Sequence, residues 1–284
     1  MGVSRRALRN AEGPAAGPRL GRWAVAGAAL GLAVAVVAFA PAAWLAAGVA
    51  QATGGQLLLA HARGSLWQGD AVAVLSAGAD SRDAVALPGR LHWTLALGSG
   101  GLALRLSQAC CLRGEPQLQF SGWPGSWRLR LTPAEGAPGG VIGRWPAAWL
   151  AGLGTPWNTM QLDGDLRLLT PGLVIQTAQG RSTLGGSAVL EALQVSSRLS
   201  TLPLLGSYRL QLQGPATAEA EAAPHVTLQT LDGALRLSGS GDWLATGLRF
   251  RGEATAAPGA EDALANLLNI IGRRQGARSL IAIG

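Results

Sequence analysis

Past residue 55, apolar residues, mostly leucine, alternate with polar ones in one short run after another. The clearest runs are Leu102–Ser107, Gln117–Ser121, Arg128–Thr132 and Tyr208–Gln213. A period of two puts one kind of side chain on each face of an extended strand, as in antiparallel sheets with one buried and one solvated face. Leucine is not a strong strand former, so the pattern carries this prediction. The chain is therefore predicted to be mainly β.

Dipeptides typical of tight turns separate these runs: Pro88-Gly89, Pro124-Gly125, Asp163-Gly164, Pro171-Gly172 and Asp232-Gly233. The segment Leu162–Leu168 closely matches Leu231–Leu237, and Leu87–Trp93 is a looser copy. Such copies indicate either repeated β-units stacked into one extended sheet or simply the common form of hairpins in this chain. One antiparallel sheet is predicted, and its origin in repeats stays open.

Two short helices and a closing strand complete the predicted fold. Pro146–Leu153 has proline in its first turn, where a missing N–H costs nothing. The second helix covers about Ala260–Ile271, with acidic residues in its first turn and a stripe of four aliphatic residues. Gly272 occupies the C′ position, where glycine commonly ends a helix. Leu280–Ile283 is predicted to be the final strand.

Residues 23–45 are almost wholly apolar, which exceeds the roughly 20 residues that a helix needs to cross a bilayer. Trp23 and Trp44 lie near the two ends, and five arginines precede the segment. The positive-inside rule then places the N-terminus in the cytoplasm. The prediction is a basic cytoplasmic arm over 1–22, a transmembrane anchor over 23–45 and a β-rich domain over 46–284 outside the cytoplasm.

A cleaved signal peptide is the alternative to a retained anchor. Cleavage could follow Ala38-Phe39-Ala40 or Gly48-Val49-Ala50. Pro41 argues against the first site, and the apolar run is longer than the about 7–15 residues of a signal peptide. Ser4-Arg5-Arg6 resembles a twin-arginine signal only faintly, since the apolar run starts much later. A retained anchor is favoured.

The net charge of +7 does not indicate a nucleic-acid partner. The chain contains no lysine, and five of its 23 basic residues lie in 1–22 beside one acid, so the rest is nearly balanced. Charged residues make up only 14%, which argues against a charged disordered chain and against a cytosolic helical bundle. No nucleic-acid partner is predicted.

The sequence offers little catalytic chemistry. None of the three histidines lies in a metal-binding motif, and no nucleophile elbow or phosphate-binding loop is present. Asp163 and Asp165 could form a carboxylate pair on one strand face, but a turn and its first exposed residue are the favoured interpretation. We predict no enzyme, no cofactor and no metal, and an envelope hydrolase ranks lowest among the functional hypotheses.

Cys110 and Cys111 are adjacent and leave three interpretations open. Each thiol could pack on its own face of a strand, the two could form a strained vicinal disulfide at a turn, or they could serve redox chemistry or an intermolecular bond.

The tryptophans leave two interpretations open: they could line a hydrophobic groove or, as we favour, be large anchors in a core of small residues. Those after the anchor are Trp67, Trp93, Trp123, Trp127, Trp145, Trp149, Trp157 and Trp243.

A succession of motifs behind the apolar segment resembles the type II secretion system protein N family. The motifs are Gly64–Gly69 (GSLWQG), Leu91–Trp93, Gly154–Thr159, Leu248–Ala254, Ala257–Gly259 and Leu267–Arg274. The positions that carry the resemblance are Gly64, Leu66, Trp67, Gly69, Trp93, Gly154, Pro156, Gly252 and Gly272. Each motif alone is weak, and their order and spacing make the match specific over most of residues 20–284.

The resemblance implies a single-pass inner-membrane protein of a Gram-negative bacterium with a β-rich periplasmic domain. It implies a non-catalytic component of the machine that moves folded proteins across the outer membrane, with other secretion-apparatus proteins and the inner membrane as partners. The alternative is a periplasmic protein whose sheet curls into a groove lined by leucine and tryptophan and shields lipid or another hydrophobic ligand.

Overall fold

The structure, a computed structural model, describes residues 18–78, 81–98, 100–123, 125–178, 181–215, 223–244 and 247–284. It contains two compact units, Met1–Ala40 and Pro41–Gly284. Each unit is described by itself below.

The first unit contains helix α1, Pro18–Ala38. Its apolar side chains face outward, with Trp23 78% exposed and Phe39, just beyond the helix, 84% exposed. In the part of the chain that the structure describes, no helix has both the length and the apolar character needed to cross a membrane.

The predicted anchor over 23–45 is not one helix. Helix α1 ends at Ala38, and α2, Ala42–Ala52, starts after Pro41 in the second unit. The physical reason is Pro41, which lacks an N–H and disfavours helical geometry at the residue before it. Its own backbone is extended, with ψ at 152°.

The second unit is mainly β, as predicted. Its described strands are β1 Leu57–Gly64, β2 Gln68–Ser76, β3 Ala84–Ala86, β4 Leu91–Gly98, β5 Gly101–Ser107, β6 Gln117–Trp123, β7 Ser126–Thr132, β8 Val141–Pro146, β9 Leu162–Ala178, β10 Arg181–Ser197, β11 Gly206–Gln213, β12 His225–Gly233, β13 Leu235–Leu244, β14 Gly247–Ala256, β15 Arg273–Gln275 and β16 Arg278–Ile283. The four alternating runs and the closing strand lie in β5, β6, β7, β11 and β16, which confirms those predictions.

All described strands form one antiparallel sheet in which neighbours in sequence are mostly neighbours in space. The order is β1-β2-β4-β5-β6-β7-β9-β10-β11-β12-β13-β14-β16-β15, with β3 paired to β2 and β8 paired to β9. Short hairpin connections explain this order, since they can join only adjacent antiparallel strands.

Two predicted turns are wrong, because both dipeptides lie inside the 17-residue strand β9. Gly164 and Gly172 have positive φ, at 124° and 158°, and the pairing register of β9 and β10 shifts beside each of them. A β-bulge and a tight turn both favour glycine at positive φ, so the sequence signal is the same for the two. Thr170 braces the second bulge by donating to the Ser187 carbonyl at 2.5 Å.

The other turn dipeptides fall closer to prediction. Pro88-Gly89 connects β3 to β4, and Asp232-Gly233 ends β12 just before β13. Pro124 lies outside the described residues. The matching segments Leu162–Leu168 and Leu231–Leu237 differ in structure, because the first is continuous strand and the second spans a bend at Ala234.

Both predicted helices are confirmed, with adjustments. The first is the 3₁₀ helix Ala147–Leu153, followed by the single turn α3, Trp157–Met160, and the second is α4, Glu261–Ile271. A further 3₁₀ turn covers Pro138–Gly140. The predicted glycine cap after α4 is wrong, because Gly272 has extended backbone. Glycine is needed there for lack of space, since a Cβ would collide with the Leu280 carbonyl.

Two of the three buried clusters are each roofed by a helix. Near β1, α2 covers a small cluster made by Ala42, Ala71 and Trp93. At the other end of the sheet, α4 covers a larger cluster in which Leu264, Leu267 and Leu268 are fully buried. Between them lies a third small cluster formed by Ala73, Leu87 and Cys111, against which Trp145 and Trp149 pack.

Candidate interaction surface

One face of the sheet is a continuous apolar surface, called the apolar face below. Directly paired residues share a face, and here they are apolar from strand to strand. One row across β4 to β9 consists of Leu95, Leu104, Leu118, Leu131 and Leu173. The next row across β4 to β10 consists of Leu97, Leu102, Phe120, Leu129, Ile175 and Leu184.

The apolar face continues on the second half of the sheet through the row Leu168, Leu190, Leu210 and Leu228. Leu118, Leu129, Leu190 and Leu210 are half-buried, and none of them belongs to the clusters roofed by α2 and α4. The centre of the apolar face is thus the part of it that neither helix covers.

The opposite face is polar and is held together by ion pairs. Glu191 on β10, 5% exposed, lies between Arg167 on β9 and Arg209 on β11. Both guanidinium groups donate to its carboxylate, Arg209 at 2.8 Å. Burial raises the pKa of Glu191, but the hydrogen bonds from the two arginines outweigh it, so the pKa lies below its ordinary value.

Five of the nine family-motif positions come together around the β1–β2 turn. The Ser65 side chain accepts from the Gln68 N–H at 3.2 Å and closes the turn. Gly69 faces the indole of Trp93, and a Cβ at Gly69 would lie 2.5 Å from that ring.

Leu66 and Trp67 fasten this turn to β4 through their backbone. The Trp93 indole N–H donates to the Leu66 carbonyl at 3.2 Å, and the Leu95 N–H donates to the Trp67 carbonyl at 2.7 Å. Trp93 is 2% exposed, so these motif residues build a core rather than an open site.

Gly154 and Pro156 lie elsewhere, between the 3₁₀ helix and α3. Gly154 has a φ of 77°, and a Cβ there would touch the Ala77 side chain. Next to it, the Asn158 amide donates to Asp83 at 2.9 Å and ties this segment to the β2–β3 connection. The motif thus positions the 3₁₀ helix and α3 against the first half of the sheet.

Gly252 and Gly272 form the third group, near the last strands. Gly252 pairs with Gly239, and the Phe250 ring lies beside both glycines. Gly272 leaves room for β16. The nine positions therefore occupy three separate places, and close backbone or ring contacts explain most of them.

Cys110 and Cys111 form a vicinal disulfide in the turn after β5. The structure therefore agrees with the second of the three interpretations. The prediction that each thiol packs separately is wrong. Cys111 is 5% exposed in the third cluster, whereas Cys110 is exposed. The Cys111 carbonyl accepts from the Arg144 N–H at 2.7 Å, which fastens this turn to β8.

The tryptophans divide between core and surface. Trp93 is a core residue, Trp145 and Trp149 pack on the third cluster, and Trp157 packs on the α4 cluster. The favoured core interpretation is wrong for Trp123 and Trp243, which are 83% and 48% exposed. Both belong to the tips of hairpins.

Asp163 and Asp165 have separate partners. Asp163 accepts from its neighbour, the Gly164 N–H, at 2.8 Å. Asp165 pairs with Arg144 at 2.5 Å, and this hydrogen bond raises the pKa of the arginine. In the described ranges, no three His, Cys, Asp or Glu side chains form a group that could hold a metal ion.

The comparison with protein families gives a match over most of the chain. The family model described as type II secretion system (T2SS), protein N, matches residues 55–280, which span β1 to β16. The chain belongs to this family. No curated protein and no solved structure matches the chain.

Membership of the protein N family makes the protein a component of the type II secretion apparatus. The matched range holds the whole apolar face and all nine motif positions. The centre of that face lies outside the clusters that α2 and α4 cover, and the sequence alone did not place it there. The signal was present, since the leucine positions of successive runs fall in register once the strand order is known.

Proposed function

We propose that this protein is a non-catalytic, inner-membrane-anchored component of the type II secretion apparatus that acts in the export of folded proteins across the outer membrane. Its β-rich unit lies in the periplasm and docks onto other apparatus proteins through the apolar face. The observation that supports docking is the centre of the apolar face, where half-buried Leu118, Leu129, Leu190 and Leu210 lie outside the clusters that α2 and α4 cover.

The anchoring part of the proposal has its own support. Helix α1 exposes apolar side chains such as Leu30 at 68% and Val34 at 60%, and exposed apolar surface of this extent marks contact with lipid or with another protein. Five arginines precede or start this segment and favour a cytoplasmic N-terminus. Alkaline extraction of membranes tests this: an anchored chain stays with the membrane, and release of the intact chain would contradict anchoring.

Deletion and complementation test the role in secretion. We expect loss of the protein to lower the amount of secreted enzymes in the medium and to leave them in the periplasm. Normal secretion in the deletion strain together with altered envelope lipids would overturn the proposal.

Photo-crosslinking from two adjacent positions tests the docking face. Leu210 and Gln211 are neighbours on β11, but Leu210 belongs to the apolar face and Gln211 to the polar face. A photo-reactive residue at 210 should crosslink to apparatus proteins in cells, and the same residue at 211 should not. Equal crosslinking from both positions would contradict docking through the apolar face.

The second candidate function is a groove for lipid or another hydrophobic ligand. The same centre of the apolar face favours it, because adjacent half-buried leucines can shield an acyl chain. Under this hypothesis the label at 210 crosslinks to lipid in place of protein, and mass spectrometry of the purified chain finds a bound lipid.

A further inference from the structure

Two adjacent hairpin tips expose large apolar side chains. Leu97, near the tip of the β4–β5 hairpin, is 76% exposed, and Trp123, at the tip of β6–β7, is 83% exposed. Phe120 is 41% exposed and stacks on Trp127, with ring centroids 6.1 Å apart. These four residues are called the tip patch. Neighbouring apolar side chains that stay exposed at two adjacent hairpin tips indicate contact with a partner.

The chemistry of the tip patch fits a membrane surface. Residues 95–104 and 118–127 contain no charged side chain, so entering the headgroup region leaves no charge to desolvate. Tryptophan is enriched where acyl chains meet headgroups, because its ring is apolar and its N–H remains hydrated. Arg128, which follows Trp127, lies on the opposite, polar face and donates to Gln176 at 2.9 Å, so it does not interrupt the apolar surface of the patch.

The tip patch lies at the end of the strands where the chain enters the second unit. Pro41, the first residue of that unit, pairs with Ser65 in the β1–β2 turn. This turn is bonded to β4 through the Leu95 N–H, two residues before Leu97. At about 4.8 Å per strand, β4 is about 10 Å and β6 about 19 Å across the sheet from β1.

We propose that the tip patch inserts into the interfacial region of the membrane that holds the N-terminal segment. This inference rests on the proposed anchoring and adds a second, peripheral contact. A chain held through residues before Pro41 keeps the β1–β2 turn close to the headgroups. The patch is then within reach of the same lipid surface, and two contacts orient the sheet relative to the membrane.

Fluorescence quenching on the full-length protein in nanodiscs tests this proposal. Single cysteines are introduced as Leu97→Cys or Trp123→Cys and labelled with an environment-sensitive dye without reductant, so that the native disulfide stays closed. Thr201→Cys is the matched control, since Thr201 is exposed in the connection between β10 and β11, at the opposite ends of the strands. Val34→Cys on α1 reports on anchoring.

We expect lipids with a headgroup-level quencher to reduce emission from labels at 97 and 123 and to leave the label at 201 unchanged. A label at 34 that is quenched by acyl-chain quenchers, with labels at 97 and 123 unaffected, would overturn the tip contact and leave the anchoring intact. Loss of quenching at all positions would overturn both. Quenching at 201 equal to that at 97 would also overturn the proposed orientation.

Substitution gives a second measurement. Leu97→Ser with Trp123→Ser should leave the fold unchanged, because both side chains are exposed, and should remove the quenching of a label at Ser126→Cys on the same hairpin. If that quenching persists, or if crosslinking from position 123 captures an apparatus protein in place of lipid, the tip patch is a protein-docking site and the membrane proposal fails.

Discussion

A helix covers each end of the apolar face. At one end the sheet supplies the large side chain and the helix the small one, and at the other end the reverse holds. Near β1 the sheet supplies the bulk, Trp93, and α2 supplies Ala42, 1% exposed. Near β16 the helix α4 supplies Leu264 and Leu267, and the sheet supplies Ala254, 0% exposed. Close packing requires large groups opposite small ones, and either layer can provide them.

The two ends also share a device. At the first end an indole covers Gly69, and at the second the Phe250 ring lies beside Gly239 and Gly252. Glycine gives the ring room, and the ring restores apolar contact that a glycine strand lacks. The difference is that Trp93 is the centre of its small cluster, whereas the α4 cluster has many large members. The first end should therefore depend more on a single residue.

The largest expected effect comes from removing that residue. We expect Trp93→Ala to lower the free energy of unfolding by about 4 kcal/mol, from lost burial and the cavity left behind. Urea titration of the full-length protein in mild detergent, followed by far-UV circular dichroism, measures it. Trp123→Ala is the control and should change stability by less than about 0.5 kcal/mol. Similar losses for both variants would contradict the assignment of Trp93 as a core residue.

Leu267→Ala tests the other end. The side chain is 1% exposed among other leucines that can partly close the gap, so we expect a loss of about 3 kcal/mol. Ile270→Ala, on the exposed side of the same helix at 36%, should cost less than about 1 kcal/mol. A larger loss of unfolding free energy for Leu267→Ala than for Trp93→Ala would contradict the stronger dependence of the first end on one residue.

The contrast between the ends marks what the sequence could predict. The stripe of α4 was visible, because apolar residues at helical spacing have one structural interpretation. The core role of Trp93 was predicted, but its contact with Gly69 was not, because only the pairing of β2 with β4 brings the two residues together. The alternating pattern around a tryptophan does not reveal whether a helix covers its side chain, as for Trp93, or whether the side chain is exposed to solvent, as for Trp243.

The sheet shows the same limit. Alternation predicted strands, since period two is a local property, and it predicted which residues share a face. Glycine dipeptides could not distinguish a connection between two strands from a bulge within one, as Pro88-Gly89 and Pro171-Gly172 demonstrate. The extended backbone of Gly272 was beyond reach for another reason, because it depends on how closely β16 approaches.

Gly69→Ala tests the room under the indole. The added methyl would overlap the Trp93 ring and the Arg63 carbonyl, so we expect a loss of about 2 kcal/mol in unfolding free energy. Gly48→Ala on α2 is the matched control. It meets nothing within 4 Å and replaces a helical glycine, so it should gain about 0.5–1 kcal/mol. Destabilisation by both variants would indicate a general intolerance of the first end to substitution.

The ion pairs on the polar face provide a pH-dependent effect. The pKa of Glu191 is lower in the folded than in the unfolded chain, so its charge stabilises the fold above about pH 4.3, and this contribution falls as the pH drops. We expect Glu191→Gln to cost about 1.5 kcal/mol at pH 7, since both arginines are partly exposed, and less near pH 3.

The control for Glu191 is Glu253→Gln, whose exposed carboxylate lies 3.5 Å from Arg278. An exposed pair of this kind contributes little, so its loss should stay below about 0.5 kcal/mol at both pH values. Equal costs for the two variants would mean that burial between two arginines adds nothing at Glu191.

The smallest expected effect tests a hydrogen bond in the α4 cluster. The Tyr208 hydroxyl donates to the Leu235 carbonyl at 3.1 Å, and both residues are buried. Tyr208→Phe removes the donor and keeps the ring, so we expect a loss of about 1 kcal/mol. Burial raises the pKa of Tyr208, so the hydroxyl stays protonated and the loss should be the same at pH 4 and pH 8. A loss that grows toward pH 4 would assign the effect to a carboxylate instead, and no loss at all would mean that water replaces the hydroxyl at that carbonyl.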